Sequence, residues 1–212
     1  MPVQDIHAHT FAKSSILSSY QMPKVIPPIE VIRVLNKAKV SFVLVGAYGL
    51  AGWRKESRAT EDVDVVVAAK QVKKAVKVLL DAFRDLEAVD LPVVVRLRER
   101  GTEDVVIDVM KPVQQPYCEV FKHTHKITSE GQTYRVPSLE MALVMKFSAM
   151  TSMYRAAEDK HRDAHDFIRM VKINPNFDRA ELAQLASLIY LDGGKDVLEM
   201  VRQARTGETL QL

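Results

Sequence analysis

The sequence predicts an α+β fold, in which a mixed β-sheet with helices is followed by a C-terminal helical bundle. Short apolar runs rich in β-branched residues alternate with helical patterns up to residue 136, whereas only helical patterns follow Pro137. Strands first and helices afterwards are typical of this class. A chain of 212 residues, 47% of them hydrophobic, suffices for one ordinary domain or two small ones. We expect a sheet of about four to six strands and three segments: an arm (1–28), an α/β domain (29–136) and a helical domain (137–212).

The arm and the first half of the α/β domain follow from local signals. Residues 1–28 are rich in serine and end in Pro23, Pro27 and Pro28, which favours an irregular arm over core structure. Apolar residues then recur at helical spacing from Ile29, and short apolar runs alternate with helical patterns. These patterns predict strands at 40–45 and 63–68, a short helix at 48–53 and a helix at 71–84.

The second half of the chain contains two more strands, a hairpin and four helices. Strands are predicted at 91–97 and 105–110, and a hairpin over 119–136 turns at Glu130 and Gly131. Ser138 is placed to cap a long helix, and Asp178 with Glu181 forms a capping-box-like start. Gly193 and Gly194 are expected to break the chain. The predicted helices span 139–153, 158–171, 178–190 and 195–205.

The composition excludes several classes of protein. The single cysteine, Cys118, excludes an intramolecular disulfide framework and a multi-cysteine metal site. No run of about 18 apolar residues indicates a membrane span, and residues 1–15 lack the basic and apolar regions of a secretory signal. We therefore expect a cytoplasmic protein without a membrane partner. The net charge of +3 is compatible with a nucleotide or nucleic-acid partner but does not by itself indicate one.

Three aspartates are the strongest candidates for chemistry. Asp62 and Asp64 lie at positions i and i+2 of a predicted strand, which places both carboxylates on one face. Paired carboxylates are costly to keep ionised unless a cation neutralises them, and Mg²⁺ prefers such ligands. Asp108 interrupts the apolar strand VVIDVM, where an ionisable group is expensive without a partner or a metal. The alternative is that all three simply face solvent.

The segments that flank the acidic pair carry features suited to an anion. Gly46 and Ala47 follow a strand and open a helix, so their backbone N–H groups are available to a phosphate, although glycine after a strand is more often only a turn. Arg58 and Thr60 lie shortly before Asp62, placed to reach a phosphate or to brace the loop.

Together these motifs resemble the nucleotidyltransferase (DNA polymerase β-like) superfamily, and in particular its minimal and AbiEii-type bacterial members. The first motif is G-A-x10-R-A-T-E-D-V-D-V-V-V at residues 46–67, followed by the apolar strand with Asp108. The second is V-P-S-L-E-M-A-L-V-M-K-F-S-A, then Arg155, then K-H-R-D-A-H-D-F at 160–167. The likeness covers about residues 40–172. The chain departs from it at Ala47, where these proteins usually have serine or glycine.

The resemblance implies an Mg²⁺-dependent transfer of a nucleoside monophosphate from a nucleoside triphosphate to a hydroxyl acceptor. Asp62 and Asp64 would hold two Mg²⁺ ions, one of them also bound by Asp108. Lys146 would reach the triphosphate, with Asp163 orienting it. Gly46, Ala47, Arg58 and Thr60 would complete the nucleotide site. RNA and protein are the acceptors to consider, and the enzyme would resemble a toxin restrained by an antitoxin or by self-association.

Two other functions stay open. The first is a catalytically silent relative that serves as a binding or regulatory module. The second is a metal-dependent phosphohydrolase, suggested by D-I-H-A-H-T at residues 5–10, which contains His7 and His9, and by the His165-Asp166 pair. The strand patterns and the small number of histidines count against it. His161 and His165 are spaced to share a helix face, which fits a metal pair but more often an ordinary polar face.

Two rows of basic residues are compatible with nucleic-acid binding or with ordinary solvated faces. Lys70, Lys73, Lys74 and Lys77 recur at helical spacing, and Arg96, Arg98 and Arg100 alternate along a predicted strand.

Overall fold

The structure is a computed structural model, which describes residues 25–56, 60 and 62–210. Arg58, most of the predicted arm, and His7 and His9 lie outside the described residues. Within the described part, Ile26 is buried in the core, and the first helix begins at Pro28.

A five-stranded mixed sheet forms the centre of the first half of the chain. Its spatial order is β1-β2-β5-β4-β3, and β2 and β5 are parallel whereas the other neighbours are antiparallel. This confirms the predicted α+β class and mixed sheet. The strands are β1 (Phe42–Leu44), β2 (Val63–Val67), β3 (Leu86–Asp90), β4 (Val94–Glu99) and β5 (Val105–Met110).

A separate hairpin and eight α-helices complete the described fold, together with short 3-10 helices at Ala69–Gln71 and Val120–Lys122. The hairpin turns at Glu130 and Gly131 as predicted, and both residues have positive φ, as a tight two-residue turn requires. The hairpin strands are β6 (Thr124–Ser129) and β7 (Gln132–Pro137). The helices are α1 (Pro28–Lys37), α2 (Gly46–Gly49), α3 (Ala51–Arg54), α4 (Val72–Ala82), α5 (Leu139–Thr151), α6 (Ala157–Ile173), α7 (Arg179–Ala186) and α8 (Gly193–Thr206).

The two faces of the sheet are covered by different helices. Val63, Val65 and Val67 of β2 share one buried cluster with residues of α1 and α4. Val66 lies on the opposite face and belongs to a second cluster, built mainly by α5, α6, α7 and α8. Because side chains alternate along a strand, Asp62 and Asp64 share the face of Val66. The acidic pair therefore faces the side of the sheet on which the C-terminal helices pack.

The structure corrects two predictions of local structure. The predicted strand at 91–97 is a turn followed by β4, and β3 before it was missed because L-E-A-V-D is polar enough for an edge strand paired only with β4. Gly193 and Gly194 do not break the chain but begin α8. A Cβ on Gly193 would lie 2.4 Å from the carbonyl oxygen of Ala186, so glycine is needed for close packing of α8 on α7.

Two predicted helix caps are present. The Ser138 hydroxyl accepts a hydrogen bond from the Met141 N–H at 3.2 Å, and Asp178 accepts from the N–H groups of Ala180 and Glu181. Glu181 does not complete a capping box, because its carboxylate bonds Nδ1 of His123 at 2.7 Å. Among the helices of the described residues, none combines the length and the apolarity that a bilayer crossing requires.

Candidate active site

The fold brings the three predicted aspartates together. In the parallel pairing of β2 with β5, Asp64 lies directly opposite Asp108, and Asp62 precedes Asp64 by two residues on the same face. One carboxylate oxygen from each residue lies within 4.8 Å of the other two. In the part of the chain that the structure describes, no other group of three histidine, cysteine or acidic side chains is arranged in this way.

The electrostatics of this acid triad, defined as Asp62, Asp64 and Asp108, favour a bound cation. Burial, reinforced by the charges of Asp62 and Asp108, raises the pKa of Asp64 to about 7. Burial also raises the pKa of Asp108 to about 6, against the opposing effect of Arg96. Three carboxylates crowded in a half-buried site resist ionisation because their charges repel and are poorly solvated.

The acid triad fits a divalent metal ion by its ligand chemistry and by an unsatisfied atom. All three donors are carboxylate oxygens, which Mg²⁺ prefers. Oδ1 of Asp108 is buried and accepts no hydrogen bond within the described structure. The guanidinium of Arg96 is the nearest cation to it, with 3.7 Å between Nε and Oδ1, and its side chain is half exposed. A metal ion would satisfy this oxygen and neutralise the cluster.

Gly46 lies directly against the triad. Its φ is +59°, a conformation that glycine adopts at little cost, and a Cβ built on it would come within 1.8 Å of Oδ2 of Asp64. The N–H of Val45, the preceding residue, donates to the carbonyl oxygen of Asp64 at 2.9 Å. Ala47 follows in α2 and is buried. The predicted glycine turn is therefore placed beside the acidic pair.

Thr60 braces the first aspartate. Its hydroxyl donates a hydrogen bond to Oδ1 of Asp62. The Thr60 carbonyl oxygen accepts from the hydroxyl of Tyr48 at 3.4 Å. Of the two roles considered for Thr60, the described contacts are those of a brace.

The predicted Lys146 and Asp163 meet in a buried ion-pair network between α5 and α6. Lys146, only 9% exposed, places its Nζ 2.7 Å from Oδ1 of Asp163 and 2.8 Å from Oδ2 of Asp166. Its charge and that of Arg155 both act to lower the pKa of Asp64. The network therefore lies within electrostatic reach of the acid triad.

Arg54 and Arg155 extend this network at its two ends. Nε of Arg54 lies 3.2 Å from Oδ1 of Asp166, and both side chains are almost fully buried. Nε of Arg155 lies 2.5 Å from Oδ2 of Asp163, and the Arg155 side chain is 41% exposed. The charge network thus consists of Arg54, Lys146, Arg155, Asp163 and Asp166.

The sequence assigned no role to Arg54 or Tyr117, and it assigned Asp166 no catalytic role in nucleotidyl transfer. Asp166 follows Asp163 by three residues on α6, and this spacing is the signal that could have paired both with Lys146. Arg54 carried no such signal, because its partner lies more than a hundred residues away. Tyr117 lies between β5 and β6, where its phenol interacts with the charges of Asp64, Arg155 and Asp163.

The two predicted basic rows are partly engaged in surface ion pairs. Lys77 pairs with Asp81 on α4, and Arg98 pairs with Glu87 and Glu103. Such exposed ion pairs are typical of ordinary solvated faces, the second of the two interpretations of these rows. His161 and His165 belong to no metal-type cluster among the described residues.

Solved structures of nucleotidyltransferases share this fold. An antigenic nucleotidyltransferase-like protein from Paracoccidioides brasiliensis aligns with 20% identity over 82% of this chain and 89% of its own, at a TM-score of 0.50. The structure of ANT(2")-Ia in complex with adenylyl-2"-tobramycin aligns with 10% identity over 84% of this chain and 95% of its own, also at 0.50. At these identities the likeness concerns the fold alone. No curated protein matches the chain in sequence.

The sequence itself identifies the family. Residues 33–211 match the family described as "Nucleotidyl transferase AbiEii toxin, Type IV TA system". The match includes the acid triad, Gly46 and the whole charge network, and it agrees with the resemblance inferred from the two motifs. The chain therefore belongs to the AbiEii family of nucleotidyltransferases.

Proposed function

We propose that this protein transfers a nucleoside monophosphate from a nucleoside triphosphate to a hydroxyl group, with release of pyrophosphate and with Mg²⁺ as cofactor. RNA is the first acceptor class to test, before protein. The observation that carries the proposal is the acid triad, whose oxygens converge within 4.8 Å. Family membership supports nucleotidyl transfer as the reaction.

The acid triad is the proposed metal site, with two Mg²⁺ ions expected. Asp62 and Asp64 would contribute to both, and Asp108 to one. When bound, the metal would neutralise the developing charge on the phosphoryl group and favour ionisation of the acceptor hydroxyl. Such transfer depends on positioning and charge neutralisation rather than on a covalent intermediate with the protein.

The neighbouring residues would position the substrate and the ligands. Gly46 leaves room for the Asp64 carboxylate where a Cβ would clash with it, and Thr60 fixes the orientation of Asp62. Lys146, oriented by Asp163, would supply positive charge toward the triphosphate. Ala47 and Arg58 complete the proposed nucleotide site, Ala47 through its backbone only.

An antitoxin is the proposed protein partner, because the matching family is described as a toxin of type IV toxin–antitoxin systems. Self-association is the alternative form of restraint. A co-expression experiment distinguishes them, because an antitoxin restores growth of cells that express the enzyme, whereas self-association changes the mass of the purified protein alone.

A catalytically silent binding module is the second candidate. Two observations favour it: Ala47 offers no hydroxyl to a phosphate, and the Lys146 ammonium already contacts two carboxylates. A silent module would keep the fold and the charge network without transferring a nucleotide.

Incubation with each radiolabelled nucleoside triphosphate, Mg²⁺ and total RNA separates the two functions. We expect label in RNA with the wild type, none after chelation of the metal, and none with Asp64→Asn. Asp104→Asn is the matched control, because Asp104 is an exposed acid in the loop before β5. Label in added protein, with none in RNA, would make protein the acceptor class in place of RNA. Absence of label in both, together with absence of Mg²⁺ and nucleotide binding, would favour the silent module.

A further inference from the structure

We propose that Tyr117 and Arg155 form the wall that binds the phosphate chain of the nucleotide, opposite the acid triad. This inference rests on the proposed function and deepens it, because it names two binding residues for the substrate of the same site. Tyr117 lies between β5 and β6, and Arg155 lies between α5 and α6.

Tyr117 packs against the buried cluster to which both the sheet and the helices α5 and α6 contribute. Its phenol is close enough to interact with the charges of Asp64 on β2, of Arg155, and of Asp163 on α6. Within the described residues its hydroxyl makes no hydrogen bond, so the O–H group is available to a ligand.

The phenol of Tyr117 is protonated at physiological pH, as an ordinary tyrosine already is. Burial, together with the charges of Asp64 and Asp163, raises the pKa of Tyr117 to about 12. A protonated phenol donates a hydrogen bond, and phosphate oxygens accept one. Tyr117 is therefore suited to an anionic ligand at any physiological pH.

Arg155 has unused donors, and its charge acts on both Asp64 and Tyr117. Its Nε bonds Oδ2 of Asp163 at 2.5 Å, whereas its two terminal nitrogens make no hydrogen bond in the described structure. A guanidinium presents these nitrogens in a planar fork that matches phosphate oxygens. Lys146, which the proposed function also directs toward the triphosphate, differs because its ammonium already contacts two carboxylates, so that its contribution there is its charge rather than a free donor.

The charge balance of the network singles out the same residue. Three cations, Arg54, Lys146 and Arg155, face two carboxylates, Asp163 and Asp166, so that one positive charge is left over. Arg54 and Lys146 are buried, whereas the Arg155 side chain is 41% exposed. The surplus charge is therefore presented to ligands by Arg155.

The proposed place of the phosphate chain is between these two sides of the site. The acid triad with bound Mg²⁺ would neutralise it from the sheet, and the donors of Tyr117 and Arg155 would bind it from the helices. Neither donor recognises a base or a ribose in this arrangement. The affinity for the phosphate chain alone is therefore the appropriate measurement.

Calorimetric titration with inorganic tripolyphosphate and Mg²⁺, and in parallel with each nucleoside triphosphate and Mg²⁺, tests the inference. Tyr117→Phe removes only the hydroxyl oxygen, and Arg155→Gln removes the charge. We expect both variants to bind tripolyphosphate about tenfold or more weakly, since hydrogen bonds to charged groups are among the stronger ones. Arg155→Lys should recover part of the loss, and Mg²⁺ affinity measured without phosphate should change little in Tyr117→Phe.

Two control variants match the tested residues. Tyr134→Phe removes a hydroxyl from another half-buried tyrosine, on β7, and Arg169→Gln removes another partly exposed arginine that pairs with an acid, Glu56. Both should bind tripolyphosphate as the wild type does. Thermal unfolding of each variant checks the fold. If Arg155→Gln does not fold, the affinity of Tyr117→Phe for tripolyphosphate is the deciding measurement.

The possible results separate this inference from the proposed function. If the wild type binds nucleoside triphosphate, and both variants bind tripolyphosphate as tightly as the wild type does, the inference is wrong and the proposed function stands. If the variants lose affinity for nucleoside triphosphate but not for tripolyphosphate, Tyr117 and Arg155 contact the base or the ribose, and the phosphate assignment is wrong. If the wild type binds neither ligand, the proposed function fails, and this inference fails with it.

Discussion

Gly46 and Asp64 lie so close together that no side chain fits between them. A Cβ built on Gly46 would be 1.8 Å from Oδ2 and 2.6 Å from Cγ of Asp64. The backbone of Gly46 also has a φ of +59°, which is strained for other residues. The glycine turn and the acidic pair therefore depend on each other.

Gly46→Ala should displace the Asp64 carboxylate and weaken both Mg²⁺ binding and nucleotidyl transfer. A displacement of about 1 Å at a reacting centre can cost about a hundredfold in rate. The measurements are Mg²⁺ titration and the transfer assay. Gly52→Ala is the control, because a Cβ on Gly52 would meet no atom within 4 Å, and alanine favours its helix α3. Unchanged Mg²⁺ affinity in Gly46→Ala would contradict the prediction.

Asp64→Asn should stabilise the metal-free fold while it abolishes metal binding. The pKa of Asp64 is about 7 in the fold against 3.8 for a free side chain, so ionised Asp64 opposes folding at neutral pH. Removal of this charge should raise the free energy of unfolding by roughly 1–3 kcal/mol at pH 8. Urea unfolding without metal measures it, with Asp104→Asn as the control. If Asp64→Asn is less stable than the wild type, the ionised Asp64 carboxylate stabilises the fold through a favourable interaction, which contradicts the prediction.

The stabilisation by Asp64→Asn should depend on pH. Because the folded pKa is raised, the unfolded chain loses its Asp64 proton first as pH rises, and wild-type stability falls between about pH 4 and pH 7. The advantage of the variant should therefore be clearly smaller at pH 5 than at pH 8. Urea unfolding at both pH values tests this. An equal advantage at both would mean that Asp64 keeps an ordinary pKa in the fold.

Mg²⁺ affinity should fall as the solution is acidified. The pKa values of Asp64 and Asp108 are about 7 and 6, so both carboxylates must release protons before they act as full ligands below neutral pH. We expect affinity about tenfold weaker at pH 6 than at pH 8. Calorimetry in two buffers of different ionisation enthalpy measures the protons released. Binding that is independent of both pH and buffer would contradict the raised pKa values.

The acid triad was predictable because its determinants are local. Asp62 and Asp64 share a face by the period of two along any strand, and Asp108 was conspicuous as a charge among apolar residues. Their convergence required one further fact, the parallel pairing that places Asp64 opposite Asp108. The resemblance implied that pairing, whereas the local pattern alone did not.

The charge network and the role of Tyr117 could not be predicted, because they depend on contacts between distant segments. The pairing of Arg54 with Asp166 arises only when α6 packs against α3. The interaction of Tyr117 with the charge of Asp64 arises only when the segment after β5 comes near β2. β3 was missed for a different reason, because an edge strand with polar residues lacks the apolar run that marks an internal strand. Gly193 and Gly194 signal a break in isolation, yet packing against α7 requires them inside α8.

The final prediction concerns the buried end of the charge network. Asp166 is 1% exposed and pairs with Arg54, which is 3% exposed, and with Lys146. Asp166→Asn would leave Arg54 buried without a counter-charge, and loss of one partner of a buried pair costs about 3–5 kcal/mol. Urea unfolding measures this loss.

Asp159→Asn on the same helix should cost at most about 1 kcal/mol, because its pair with Arg162 is exposed. If Arg54→Met restores much of the stability in the Asp166→Asn background, the unpaired charge is the cause. If the two substitutions add independently, the network is not coupled at this end.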